Sequence, residues 1–241
     1  MAAGVKAWQR IRREEESLSD SGDMFGRWWD GVSLSVGEAQ VREITSATAE
    51  TIILRYEWMG SMPAVVLRCY GIYFGDLLGG AVVFSPEYAE NLGVWDKYGY
   101  TGRIILLARG ASAHWTPTNT ASKLIAEAVR LLPEQYEVVT ATIDPEAGEV
   151  GTIYQACNWY YVGVMRADNP LSATSTPTRI VGSVNGKRIA SRSLRRMSGW
   201  ERGTAYSKGR YFTFRGRNRQ TLRKAIDLLV KEYPKRHEGA L

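Results

Sequence analysis

The chain has very few cysteines and histidines, and this scarcity excludes several classes of site. Its 241 residues include two cysteines, Cys69 and Cys157, and two histidines, His114 and His237. Two cysteines cannot build a disulfide framework, so we expect a reducing, cytoplasmic setting. The sequence also has no Ser-His-Asp hydrolase signature, no Walker phosphate loop and no Cys-x-x-Cys pair. Serine hydrolases, P-loop nucleotidases and thiol oxidoreductases are therefore poor candidates.

Long apolar runs are also missing. No stretch approaches the roughly 20 residues that a membrane-spanning helix needs, so we expect no membrane partner. The N-terminal segment, MAAGVKAWQRIRREEESLSDSG, lacks the apolar core of a signal peptide. We therefore interpret residues 1–35 as a flexible lead-in to the folded part of the chain.

Charge is unevenly distributed along the sequence. The net charge is +6, but residues 161–241 hold 18 Lys and Arg against 5 Asp and Glu, and residues 1–160 hold 13 against 20. A basic last third that is interleaved with aromatic residues is typical of a protein that binds nucleic acid, although a solvated basic tail is the simpler alternative. We expect double-stranded DNA as the partner. The predicted nucleic-acid-binding residues are Lys187, Arg188, Arg192, Arg195, Arg196, Lys208, Arg210, Arg215 and Arg217. The sequence does not decide the oligomeric state, so a homodimer stays open.

Hydrophobic periodicity and turn residues predict an α+β fold with the order β-α-β-β-β-α-β-α-β from Gln40. The Gly75-Asp76 pair predicts a hairpin turn, and Asn185-Gly186 predicts a second one. The predicted segments are a helix over 45–59, strands over 64–74, 77–84 and 103–110, a helix over 121–132, a strand over 137–144, a helix over 152–159 and a strand from Tyr160. Beyond the polar link 168–178 the pattern predicts the second hairpin, a short strand at RYFTFRG and a basic amphipathic helix in NRQTLRKAIDLLVKEY.

The stretch LLARGASAHWTPTNTASKLI runs from an apolar strand through a loop into a helix N-terminus. Exposed N–H groups and the positive end of a helix dipole favour a bound phosphate there. The predicted cofactor-binding residues are Arg109, Thr120, Ala121 and Ser122. Ser122 can also act simply as a helix cap.

The element order, this loop and the later stretch GTIYQACNW together resemble the GNAT-type N-acetyltransferase superfamily. That resemblance implies a mixed central sheet flanked by helices, a catalytic core over 36–167 and an acyl-coenzyme A cofactor. It also implies that Tyr154 is a general acid; the structural alternative is a tyrosine packed in the core. The chain departs from that pattern in two places: HWTPTNTAS replaces the usual glycine-rich loop, and Asn158-Trp159 replaces the usual Gly-Phe. An N-acetyltransferase that acts on a small amine, a protein or a hypermodified thymine amine is the alternative function.

A narrower resemblance covers residues 51–236. The strings LARGASAHWTPTNTASKLI and ATIDPEAGEVGTIYQACNW, followed by a basic C-terminal part that ends in YPKR, resemble the phage-encoded Mom family. The resemblance implies an enzyme that converts adenine in phage DNA to its N6-carbamoylmethyl form in the host cytoplasm and so protects that DNA from restriction. It also implies that residues 168–241 form a basic extension that contacts DNA.

The same resemblance implies a set of catalytic residues: Arg109, Ser122, Asp144, Tyr154 and, by a looser alignment, Tyr73. Glu57 stands where the family often shows a histidine, so it is a candidate base. His114 is a candidate metal ligand, and iron is the metal to consider. Two alternatives stay open: Arg109 can simply pair with Asp144, and the chain can be a nucleic-acid-binding protein that has kept the fold and lost the chemistry.

Overall fold

The fold is described from a computed structural model. It describes residues 8–20, 29, 31–57, 59–87, 95, 100, 102–144, 149–164, 180–184, 187–189, 201–204, 208–215 and 230–235. The helices are α1 (Trp8–Asp20), α2 (Ser46–Tyr56), α3 (Thr120–Leu131) and α4 (Thr152–Ala156). The strands are β1 (Gln40–Glu43), β2 (Arg68–Phe74), β3 (Leu77–Pro86), β4 (Ile104–Ser112), β5 (Val138–Ile143), β6 (Tyr160–Val164), β7 (Ile180–Val184), β8 (Lys187–Ile189), β9 (Glu201–Thr204) and β10 (Gly209–Phe214).

Seven strands form one mixed sheet in the order β1-β2-β3-β4-β5-β10-β6. Every neighbouring pair is antiparallel except β4 and β5, which are parallel. The β4–β5 pairing runs from Ile104 opposite Val138 to Leu107 opposite Ala141 and then stops, although both strands continue. The two strands thus form a fork at their carboxyl ends. The predicted α+β class and the predicted element order are confirmed.

Local chemistry explains the elements that flank this fork. The Thr45 side chain accepts the N–H of Thr48 at 3.1 Å and caps the start of α2, as the sequence predicts. Gly75 has φ 58 in the β2–β3 turn, a conformation that glycine adopts at little cost. The apolar face of α3 buries Leu124, Ile125 and Ala128 against the sheet. These contacts fix the first turn of α3 beside the fork.

The sheet carries a hydrophobic core on each face. Because side chains alternate along a strand, Tyr211 of β10 packs in the core that contains α2 and α3, whereas Phe212 and Phe214 pack with Trp95 and Tyr100 in a second cluster. Most of the central strand residues are therefore buried on both faces. Strands β7 and β8 pair antiparallel, with Val184 opposite Lys187, in a separate three-stranded sheet with β9, as the predicted hairpin requires; Asn185 and Gly186 themselves lie outside the described residues.

Strand β10 changes the interpretation of the basic C-terminal part. It inserts between β5 and β6, with Tyr211 opposite Ala141, so residues 209–214 belong to the main sheet. Arg210 is 5% exposed and lies 3.7 Å from the buried carboxylate of Glu87, which also accepts the hydroxyl of Thr140. The prediction that Arg210 binds nucleic acid gains no support from this placement, because a charge buried and paired inside the sheet is poorly placed to reach a phosphate backbone. Most of the predicted basic helix lies outside the described residues.

The N-terminal segment, interpreted from the sequence as flexible, contains the helix α1. Glu16 of α1 is buried and forms an ion pair with Arg55 of α2. Arg13 donates hydrogen bonds to the Ser112 hydroxyl at 3.0 Å and to the carbonyls of His114 and Thr116 at 3.1 and 2.8 Å. These bonds hold α1 over the loop between β4 and α3. Within the described part of the chain, no helix is long and apolar enough to span a membrane.

Candidate active site at the fork of the central sheet

A cavity of about 490 Å³ opens where β4 and β5 separate, and we call it the fork cavity. Strand β4 contributes residues 107–112, β5 and its end contribute residues 142–144, and α3 contributes Ala121, Leu124 and Ile125. Residues 149–154 close another side. Four of the residues that the sequence singles out as catalytic line this cavity: Glu57, Arg109, Asp144 and Tyr154. They come from four separate segments, which the sheet topology brings together.

Arg109 and Glu57 form a buried ion pair in the wall of the cavity. The Arg109 Nε and the Glu57 Oε2 are 3.8 Å apart, and both side chains are less than one-tenth exposed. Arg109 also donates to the Ser61 carbonyl at 2.8 Å and to the Ala108 carbonyl at 2.6 Å. Burial raises the pKa of Glu57, and the Arg109 charge partly offsets that rise. Arg109 therefore pairs with Glu57 rather than with Asp144, the partner considered from the sequence.

Two hydrogen bonds join Asp144, which directly follows β5, to Glu149. The backbone N–H of Asp144 donates to the Glu149 Oε2 at 2.8 Å, and the Glu149 N–H donates to the Asp144 carbonyl at 3.2 Å. Burial raises the pKa of Glu149 to about 7, and the nearby carboxylates of Glu57 and Asp144 add to the rise. Glu149 lines the cavity but is absent from the sequence-based set, because PEAGEVG is interpreted only as a turn. A second carboxylate five residues after Asp144 is the signal that could have identified it.

Tyr154 lies on the short helix α4 at the edge of the cavity. Its ring packs against Trp159 and Tyr211, with centroids 5.1 and 5.3 Å apart. Gly151 starts this helix with φ 71, and a Cβ there would collide with the Tyr211 ring, so only glycine fits. Burial raises the pKa of Tyr154 well above its ordinary value, and the carboxylates of Glu149 and Glu57 contribute to the rise. The phenol therefore stays protonated near neutral pH and can donate a hydrogen bond into the cavity, although burial also makes it a weaker acid than a free tyrosine.

The predicted cofactor-binding residues Thr120 and Ser122 form hydrogen bonds at the start of α3. The Ser122 hydroxyl donates to the Asn119 carbonyl at 3.0 Å, and the buried Thr120 hydroxyl donates to the Pro117 carbonyl at 2.8 Å. Both are local bonds to the backbone three residues earlier, at the start of the helix. Ala121 lines the fork cavity, whereas Ser122 and Thr120 are not among its described lining residues. A catalytic role for Ser122 stays a prediction.

Tyr73 and His114 also lie apart from the four convergent residues. Tyr73 packs under the guanidinium of Arg42, 3.8 Å from the ring centroid. The His114 Nδ1 shares a hydrogen bond of 2.9 Å with the Tyr56 hydroxyl, and its ring packs edge-on against Trp29. Over the described residues, no three or more His, Cys, Asp or Glu side chains are arranged to hold a metal ion. The predictions of an iron site and of His114 as a metal ligand gain no support from this geometry.

Cationic side chains complete the wall of the fork cavity. Besides Arg109, the lining includes Arg13 of α1 and Lys208, which directly precedes β10. Arg13 is missing from the sequence-based set, because nothing in the N-terminal pattern indicates a contact about a hundred residues away. Lys208 is in that set, but as a DNA-binding residue. The cavity thus combines carboxyl groups, cations and one protonated phenol.

The remaining basic residues are placed only in part. Lys187 and Arg188 lie in β8, where the structure describes the backbone. The guanidinium of Arg215, which directly follows β10, donates to the Arg130 carbonyl at 3.1 Å near the protein surface. Arg192, Arg195, Arg196 and Arg217 lie outside the described residues. Their role as DNA contacts stays a prediction.

Comparison with known proteins gives a family match and several structural similarities. A sequence model of the Mom protein family matches residues 38–235. No curated protein sequence matches the chain. Similar solved structures include a GNAT-family acetyltransferase from Bacillus cereus ATCC 10987 (9% identity, TM-score 0.42, 75% of this chain and 100% of that chain). They also include a Bacillus subtilis acetyltransferase in complex with CoA (12% identity, TM-score 0.41, 72% of this chain and 95% of that chain). A third is a Vibrio cholerae spermidine N-acetyltransferase in complex with CoA and spermine (10% identity, TM-score 0.42, 74% of this chain and 96% of that chain).

Proposed function

The chain belongs to the Mom protein family, whose model covers residues 38–235, and from that membership we propose that it converts adenine in DNA to the N6-carbamoylmethyl form. The observation that carries the proposal is the convergence of Glu57, Arg109, Asp144 and Tyr154 on the fork cavity. Ionisable groups with perturbed pKa values that line a cavity are candidates for an active site. The modification would shield phage DNA from host restriction enzymes.

The chemistry requires a proton acceptor and a proton donor near one exocyclic amine. When a new N–C bond forms on the adenine amine, that nitrogen loses a proton and the donor molecule loses its leaving group. The cavity offers buried carboxyl groups to accept the first proton, and the protonated Tyr154 phenol to supply a proton to the leaving group. Arg109 fixes the position of Glu57 through their ion pair.

The shape of the cavity fits a single base better than a duplex. Its volume of about 490 Å³ lies within the range of small-molecule pockets and is far too small for a duplex. Enzymes that act on a base in duplex DNA extrude it from the stack. We therefore include a flipped adenine in the proposal, with Asp144 at the end of β5 as a hydrogen-bond acceptor for its amine.

The basic last third of the chain supplies the proposed contact with the DNA backbone. Residues 161–241 carry 18 Lys and Arg against 5 Asp and Glu, and a surplus of this size supports electrostatic binding to phosphates. Lys208 belongs to this basic part of the chain and also lines the fork cavity. It is therefore suited to meet the phosphate that flanks the flipped adenine.

Mass spectrometry of nucleosides tests the proposal. Plasmid DNA is purified from cells that make the protein and from cells that carry the empty vector, and is digested to nucleosides. We expect a new deoxyadenosine derivative, heavier by the replacement of one hydrogen with a carbamoylmethyl group, only with the protein present. An unchanged deoxyadenosine profile from cells that contain soluble, folded protein would count against the proposed function.

A second candidate, an acyl-coenzyme A-dependent N-acetyltransferase, is favoured by the extension of the cavity to the first turn of α3. The apolar lining of Leu107, Leu124 and Ile125 fits a pantetheine arm, and Arg13 with the start of α3 would hold its phosphates. The thioester of acyl-coenzyme A would supply an activated acyl carbon, and coenzyme A would leave as the thiol. Release of free thiol from acetyl-coenzyme A with a polyamine or a peptide, without any change to DNA, would favour this candidate.

A further inference from the structure

We infer that Glu149 is the catalytic base that accepts the proton from the acceptor amine in the fork cavity. The inference rests on the proposed function, because it assigns one step of that reaction to one residue. Glu149 lines the cavity directly between the end of β5 and the start of α4. It is hydrogen-bonded to Asp144 and acts electrostatically on Tyr154, the two residues proposed to contact the amine and the leaving group.

One hydrogen bond fixes the Glu149 carboxyl group in place. Its Oε2 accepts the backbone N–H of Asp144 at 2.8 Å, and the Glu149 N–H returns a bond to the Asp144 carbonyl. A carboxylate has a second oxygen and further lone pairs, so this bond leaves capacity for a substrate. A base that is held by a backbone donor keeps its position when a substrate enters.

The surroundings distinguish Glu149 from the other acidic residues of the cavity. Glu57 is paired with Arg109 and accepts the N–H of Met59 at 2.9 Å, which stabilises its charged form. The charged groups that act on Glu149 are Glu57 and Asp144, which disfavour its charge, and Lys208, which favours it. Burial is the largest influence and raises the pKa of Glu149 to about 7. A base is most effective when its pKa lies near the working pH.

The proposed step needs a donor molecule in which an electrophilic carbon is bound to a group that leaves as an anion. The lone pair of the amine forms the N–C bond, and the bond between the donor carbon and its leaving group breaks. One N–H bond then breaks, its electron pair stays on nitrogen, and Glu149 takes the proton. The leaving group takes a proton from Tyr154, and both side chains exchange protons with solvent afterwards. The same assignment holds for an alkyl or an acyl donor.

The test compares Glu149→Gln with the wild type. Glutamine keeps an oxygen to accept the Asp144 N–H but cannot take a proton, so it separates the base from the structural bond. Glu137→Gln is the matched control, because Glu137 is partly exposed, pairs with Arg103 and is outside the cavity lining. The assay measures the initial rate of adenine modification in plasmid DNA, with the small-molecule fraction of host cells as the source of donor, between about pH 5.5 and about pH 8.5.

We expect Glu149→Gln to lower the initial rate by about 100-fold or more. The wild type and Glu137→Gln should show a rate that rises with pH through about 7, because the deprotonated base is the active form. The residual rate of Glu149→Gln should lack that rise. Glu149→Asp, which keeps a carboxyl group at a shorter reach, should retain the rise at a reduced rate, and it serves as the test if the glutamine variant does not fold.

Two results would overturn the inference, and they are distinguishable. If the wild type modifies adenine and Glu149→Gln does so at a similar rate, or keeps the rise with pH, Glu149 is not the base and the proposed function stands. If the wild type leaves adenine unmodified at every pH, the proposed function fails and the inference fails with it.

Discussion

Replacing Tyr154 with phenylalanine is expected to remove nearly all modification of adenine while leaving the protein as stable as the wild type. Phenylalanine keeps the ring between Trp159 and Tyr211, so the packing is preserved and only the hydroxyl is lost. General acid catalysis contributes about 10²–10⁴-fold, so we expect a rate loss in that range. The measurement is the ratio of modified to unmodified deoxyadenosine over time, beside a thermal melt of each protein.

Tyr161→Phe is the matched control for this variant. Tyr161 is buried in the same aromatic cluster, 4.9 Å from Tyr211 between ring centroids, but it is not among the residues that line the fork cavity. We expect it to keep its activity. If both variants lose activity equally, or if Tyr154→Phe keeps the wild-type rate, the proton-donor role of Tyr154 is contradicted.

Replacing Arg109 with leucine is expected to produce the largest loss of stability in the site. The substitution leaves the Glu57 carboxylate buried without the cation that lies 3.8 Å away. Breaking a buried ion pair by removal of one partner costs about 3–5 kcal/mol in the free energy of unfolding. Activity should fall as well, since Glu57 loses the contact that positions it. Urea denaturation of the variant and the wild type measures the stability change.

The loss of stability in Arg109→Leu should depend on pH. Burial already raises the pKa of Glu57, and loss of Arg109 removes the charge that lowers it. Without Arg109, Glu57 is buried at little cost while its carboxyl group is protonated. As pH rises through its raised pKa the group becomes charged, and the folded state loses stability. The deficit of Arg109→Leu should therefore be smaller near pH 5 than near pH 8. An equal deficit at both pH values would contradict an unpaired Glu57 as its cause.

The double variant Arg109→Leu with Glu57→Leu separates the two effects. Replacement of a whole buried ion pair by apolar residues is often neutral or stabilising. We expect the double variant to recover most of the lost stability and to remain inactive. Recovery of both stability and activity would mean that the pair is only structural.

The sequence predicts the fold well wherever local signals decide it. The Thr45 cap, the Gly75 turn and the apolar runs of β4 and β5 all depend on neighbours in the chain, and these elements lie close to where they are predicted. The insertion of β10 between β5 and β6 could not be predicted, because strand order depends on contacts between residues far apart in sequence. For the same reason Arg210 resembles a solvent-exposed cation in sequence, although Glu87 pairs with it inside the sheet.

The site was predictable only in part. The family resemblance indicated Arg109, Asp144 and Tyr154, and the structure brings all three to the fork cavity. Glu149 and Arg13 could not be identified in the same way. Glu149 acquires its raised pKa from burial, which a turn sequence does not reveal, and Arg13 reaches the loop before α3 through contacts from the other end of the chain.

Photocrosslinking tests the central claim, that an adenine of DNA enters the fork cavity, most directly. Duplex DNA that contains 8-azidoadenine in place of a fraction of its adenines is irradiated with the protein, and the crosslinked peptides are identified by mass spectrometry. The account predicts crosslinks in the segments that line the cavity, residues 107–112, 142–144 and 149–154. Crosslinks confined to the basic residues beyond 164, with none in those three segments, would contradict it.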